Sequence, residues 1–99
     1  MRSVSTSPQA EADIDGITEY TKTTWGWQQA DVYLAQLEGA FDHLAEHPFI
    51  GRSCDSIHLG LRRFEVGKHV VFYMSQPDGI LIVRILHQQM VPTKPHFQP

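Results

Sequence analysis

Three arginines lie within strand-like segments of the second half of the chain: Arg62 and Arg63 in Leu61–Val66, and Arg84 inside the apolar run Ile80–His87. Guanidinium groups hold phosphate or carboxylate in bidentate geometry, so the three can form one cationic site. They are equally consistent with solvated strand residues paired to Glu65 and Asp55. Arg84 is the most informative, because an arginine in an apolar strand is costly without a partner. His87 ends the same run and has the near-neutral pKa of a general acid or base, although a packed, hydrogen-bonded histidine is the commoner outcome. His43 and His47 stand four apart, a spacing that suits a metal on a helix face. The nearest further ligands, Cys54 and His58, lie in a polar stretch at no recognisable spacing, so surface histidines are expected, with no metal and no cofactor. No paired acid–base motif surrounds Cys54, and it is not expected to act as a nucleophile. Phosphate-cradling glycine loops and paired catalytic carboxylates are absent. The acids of the first helix read as a solvated face, and Trp25 and Trp27 as packing residues of a helix junction.

The elements that must position these residues follow from periodicity. Arg2–Thr6 alternates and reads as a short strand. Ser7-Pro8 is a helix start, Ser as the cap and Pro preorganised for the first turn. Ala10, Ile14, Ile17 and Thr21 then recur at a helical period, with Glu11, Asp13 and Asp15 near the positive end of the helix dipole. Trp25-Gly26-Trp27 interrupts the helix. Ala30, Tyr33, Leu34, Leu37, Ala40, Phe41 and Leu44 mark a second helix, from about Trp27 to Glu46, that ends before Pro48 and Gly51. From residue 52 the period changes. Arg52–Gly60 is turn-rich. Strands follow at Leu61–Val66, His69–Ser75 and Ile80–His87, joined by Gly67-Lys68 and Gln76-Pro77-Asp78-Gly79. Connections this short force antiparallel pairing. The expected fold is α+β: an N-terminal strand, an antiparallel two-helix hairpin and a three-strand antiparallel meander. Strand parity assigns the hairpin to the face with Phe72, Met74, Val83 and Ile85. The open face then carries Arg63, Glu65, Val71, Tyr73, Ile82, Arg84 and Leu86, an apolar and basic surface of the kind that marks binding. A single β-bulge would invert part of this map.

Ninety-nine residues make one domain, read as 1–90 with a Pro-rich tail at 91–99 that is extended or disordered unless a partner orders it. The longest unbroken apolar run, Val70–Met74, is far below the roughly 20 residues of a spanning helix, so no membrane association is expected. No secretory signal is visible and one cysteine excludes an internal disulfide, which together predict a cytoplasmic location. The formal net charge is −3, but residues 1–51 carry −6 and residues 52–99 carry +3. The overall sign argues against non-specific nucleic-acid binding, and the basic half suits an acidic partner.

Several stretches together resemble the ParE toxins of the RelE/ParE superfamily. They are Ser7–Tyr20, Trp25-Gly26 with Gln29-Ala30 and Tyr33, Leu44–Pro48 with Gly51-Arg52, Gly60–Phe64, His69–Tyr73 and Ile82–His87. The order and spacing of these motifs span about residues 3–90. The resemblance implies an antiparallel sheet with an N-terminal helical hairpin, and a toxin of a bacterial type II toxin–antitoxin pair. It implies a non-enzymatic protein that poisons DNA gyrase. A ParD-like antitoxin silences such a toxin and makes the operator contact, so no specific DNA binding by the toxin itself is implied. An antitoxin tail carrying acids would pair Arg63 or Arg84 and cover Val71, Tyr73, Ile82 and Leu86, while Arg62, His87 and Met90 are candidates for the target surface. Gln88, Gln89 and Met90 depart from the basic residues the family places after this strand. The competing function is a ribosome-dependent mRNA endonuclease of the RelE branch, with Arg63, Arg84 and His87 as catalytic residues and Glu65 as a base. The negative net charge and the acidic first helix weigh against ribosomal RNA docking.

Overall fold

A computed structural model describes residues 2–90, 92 and 94–97. The chain runs β1 (Ser3–Thr6), α1 (Pro8–Trp25), α2 (Trp27–Glu46), β2 (Arg52–Ser53), β3 (Leu61–Val66), β4 (His69–Gln76) and β5 (Gly79–His87), then a 3-10 turn at Lys94–Phe97. The Ser7 hydroxyl caps α1 by accepting the Ala10 amide at 3.0 Å, with Pro8 in the first turn. Gly26, at φ 93°, ends α1 and starts α2. Leu37, Phe41 and Leu44 on the α2 stripe are all buried against the sheet. Each such side chain is worth about 1.5–3 kcal/mol by area removed from water.

The α+β architecture is as expected, with two corrections. The sheet is mixed, in the order β1-β5-β4-β3-β2, with β1 parallel to β5 and all other pairs antiparallel. The helical hairpin carries the chain away from β1, and only the last strand returns beside it. Arg52-Ser53, read as part of a turn-rich stretch, adds a two-residue edge strand to β3. The tail is not extended throughout, since Lys94–Phe97 form a turn; Val91, Thr93, Gln98 and Pro99 lie outside the described residues.

The faces of the sheet are largely exchanged relative to the parity map. Val71, Tyr73, Ile80, Ile82 and Ile85 pack under the helices, while Phe72, Leu86, Val70 and Leu61 lie on the far face with Met74 and Val83. Two causes account for this. The two-residue turn at Gly67-Lys68 pairs Val66 with His69 and Phe64 with Val71, which fixes Val71 and Tyr73 on the helix side. In β5 a bulge at Val83 lets Tyr73 pair Ile82 and Phe72 pair Arg84, so the alternation reverses there. After the bulge Ile85 faces the helices and Arg84 and Leu86 the far side, as parity assigns them. The far face is covered by the β2–β3 connection through Cys54 and Ile57 and by the tail, whose Phe97 ring meets Phe72 edge-on at 4.9 Å.

Candidate functional site

The three arginines do not converge. Arg62 belongs to the helix-side register, opposite Tyr73, and donates to the carbonyls of Gly51 at 2.7 Å and Phe49 at 3.3 Å. Arg63 and Arg84 occupy one far-face row with Phe72 between them, about 10 Å apart by strand spacing. The Arg63 guanidinium lies 5.7 Å over the Phe72 ring, and its buried Nε has no hydrogen-bond partner among the described residues. Glu65 pairs with Arg52, and Asp55 accepts the Gly60 amide, so neither serves Arg62 or Arg63.

Arg84 has the partner its position demanded. Nε and Nη2 make a bidentate pair with Asp13 of α1 at 2.7 and 2.9 Å, and Nη1 donates to the His96 carbonyl at 2.9 Å. Hydrogen bonding to Asp13 pushes the arginine pKa up, against burial, which lowers it. Asp13 also accepts the Ile85 amide at 2.9 Å. One carboxylate thus caps the β5 edge where β1 has stopped, and one guanidinium ties α1 to the tail. Asp13 is therefore an internal residue and not part of a solvated face.

Burial removes Val71, Tyr73 and Ile82 from any surface, since all three are fully enclosed beneath the helices. Leu86, at the far face, is also buried. The Tyr73 hydroxyl donates to the Pro48 carbonyl at 2.8 Å and accepts the Gly51 amide at 2.9 Å. The His43 and His47 rings lie 5.2 Å apart on exposed ground. Among the described residues no group of three or more His, Cys, Asp or Glu comes together. Cys54 is buried, and that burial raises its thiol pKa despite Arg63 and Arg52.

The accessible concavity lies at the β5 edge on the helix side. It is a groove of about 1090 Å³ between α1 and the ends of β4 and β5. Gly16, Ile17, Tyr20 and Trp25 form one wall, and Tyr33, His69, His87 and Met90 the other end. Trp25 and Trp27 do not pack the hairpin: each is 67% exposed, with Lys22 4.5 Å over the Trp27 ring. Their proximity to Gly26 leaves both on the outside of the turn. Of the expected target residues, His87 and Met90 line this groove. Arg62 is four residues along β3 from Val66, about 13 Å away. Sequence reading missed Tyr33 and His69 as site residues. The signal was present in the Gly67-Lys68 turn, which places His69 at the strand end opposite His87.

Comparison with known proteins agrees with this architecture. The family described as "ParE toxin of type II toxin-antitoxin system, parDE" matches residues 4–92. Toxin ParE1 of Mycobacterium tuberculosis is 42% identical over 85 residues, covering 85% of this chain and 87% of the relative. Toxin ParE1 of Caulobacter vibrioides is 38% identical over 90 residues, covering 91% and 93%. A solved structure described as the chromosomal ParDE TA system from P. aeruginosa matches with a TM-score of 0.73 at 20% identity, covering 88% of this chain and 96% of that one.

Proposed function

The chain belongs to the ParE toxin family of type II toxin–antitoxin systems, and from that premise we propose that it binds and inhibits DNA gyrase without catalysis, and that a ParD-like antitoxin silences it by filling the α1–β5 groove. The observation that carries binding over catalysis is the state of Arg84. Its Nε and both Nη groups are engaged by Asp13 and the His96 carbonyl. An endonuclease needs a free cation for the developing phosphorane charge, and Arg84 would have to abandon its clamp to supply one. His87 opens into the groove on the helix side, whereas Arg63 lies on the far face. The groove suits a protein segment, being largely apolar, with exposed Tyr20 and Trp25 on its wall. No helix among the described residues is long and apolar enough to cross a membrane.

A supercoiling assay with purified gyrase tests the activity. Lost supercoiling with accumulation of linear DNA, reversed by the antitoxin, is expected. Unchanged gyrase at large toxin excess, with mRNA cleaved on the ribosome, would replace the reading by the RelE-type one. The groove is tested by Gly16→Trp. Gly16 lines it, and a Cβ there meets nothing within 4 Å. The added ring occupies the cleft, so antitoxin affinity should fall about 10- to 100-fold.

A further inference from the structure

One end of the groove holds polar chemistry that toxin action leaves unused. Tyr33 of α2 reaches the β3–β4 turn. Its hydroxyl donates to the Val66 carbonyl at 3.1 Å and accepts the Lys68 amide at 3.3 Å, and His69 Nδ1 lies 2.6 Å from the same oxygen. The 2.6 Å contact ties His69 Nδ1 to the phenol, so the ring nitrogen left for a ligand is Nε2. At His87 the Nδ1 accepts the Gln89 amide at 3.2 Å, and Nε2 is likewise the nitrogen left for a ligand. The two residues are cross-strand partners with rings 5.5 Å apart and nearly perpendicular. A protonated His69 carries N–H on both nitrogens whichever held the proton before, so with His87 it presents a pair of N–H donors at the groove end.

The surrounding charges select the ligand. The only formal charges on the described lining are Asp13 and Lys68. Asp13 is spent on Arg84 and the Ile85 amide. Lys68, in the turn beside the histidines, is exposed and makes no ion pair among the described residues. The other neighbours of the pair are neutral: Tyr33 from α2 and Gln89 after β5. The free charge of the groove is thus positive. We propose that His69 and His87, with Lys68 beside them, form a carboxylate-binding site that receives an acidic side chain of the antitoxin, and that the complex is consequently tighter in acid than in base. This rests on the antitoxin occupying the groove. In the free chain, burial and then the neighbouring His87 lower the His69 pKa, with Asp13 opposing. An arriving carboxylate favours the charged ring and reverses that direction. Binding then takes up a proton. Affinity is highest below the free pKa of His69 and declines as pH rises toward the pKa it has in the complex, by up to about tenfold per pH unit.

The probe is the co-encoded antitoxin, separated from the toxin and remixed between pH 5.5 and 8.5, with the histidine ring protons followed by NMR. The His69 resonance should titrate at higher pH in the complex than in the free chain. The dissociation constant should rise with pH, His69→Gln and His87→Gln should flatten that rise, and His43→Gln should leave it intact. The glutamine amide at position 69 retains a donor toward Tyr33, and unchanged thermal melting of each variant separates loss of the site from loss of the fold. A complex that forms with one affinity across the range and an unshifted His69 overturns the carboxylate site alone. A complex indifferent to Gly16→Trp overturns the groove reading and the site with it.

Discussion

Two tyrosines anchor opposite ends of the sheet by the same chemistry. Tyr73 donates to the Pro48 carbonyl and accepts the Gly51 amide; Tyr33 donates to the Val66 carbonyl and accepts the Lys68 amide. Each phenol pins a turn containing a glycine pressed against its ring. At Gly51 an added Cβ would overlap the Tyr73 hydroxyl and ring, and at Gly67, with φ 56°, it would lie 2.7 Å from the Tyr33 ring. Burial raises the pKa of both phenols. The difference lies in what surrounds them. Tyr73 is fully enclosed, and its hydroxyl serves only to close the α2–β2 connection. Tyr33 stands at the groove, and its hydroxyl also holds Nδ1 of an imidazole that lines it. The same anchor builds structure where it is sealed and presents chemistry where it is open.

The contrast breaks most severely at the residue that keeps the open end from unravelling. Asp13→Ala strands a mostly buried guanidinium and the Ile85 amide, and should cost about 2–4 kcal/mol in urea unfolding. The mutation also frees the tail carbonyl's donor, so proteolysis near residue 96 should accelerate. The two tyrosines provide the direct comparison. Tyr73→Phe should cost about 1–3 kcal/mol, because a buried amide and carbonyl lose their partner with no water to replace it. Tyr33→Phe should cost less, about 0.5–1.5 kcal/mol, since the groove admits water to Lys68 and His69. Equal costs would show that the two ends are not differently sealed. A smaller effect is the pH dependence of the free chain. The folded-state pKa of His69 is lowered, so the unfolded state binds more protons in the window beneath about 6.5. Stability should therefore be complete above that value and fall as pH drops toward the folded pKa, and His69→Gln should remove that fraction of the loss. His43→Gln, on exposed ground, should shift stability by less than about 0.5 kcal/mol.

Local chemistry made most elements legible. Ser7-Pro8, Gly26, Pro48 and the Pro77–Gly79 turn carry boundary signals that act within a few residues, and the helices and main strands fall where these place them. What sequence reading missed was non-local. Nothing in Ile-Leu-Ile-Val-Arg-Ile-Leu marks Val83 as a bulge, because the apolar run supplies candidates for both faces. The partner of Arg84 sits 71 residues away on a helix whose acids look alike in sequence. Arg52-Ser53 pairs by backbone alone and has no apolar alternation to announce it. The groove could be anticipated only after α1 was known to overhang an edge that β1 leaves unpaired.

The parallel pairing of β1 with β5 also governs timing. Ser3 and Thr6 find their partners at Gly79 and Ile82, and the Ser7 hydroxyl donates to Val83, a separation of 76 residues. Contacts so distant in sequence form late and slowly. The helices can coil as they emerge from the ribosome, but the sheet edge and the groove beside it cannot exist until the last strand has been made. For nearly all of its own synthesis this member of the ParE toxin family therefore lacks the groove, and nothing that depends on that surface can engage the chain until translation is almost finished.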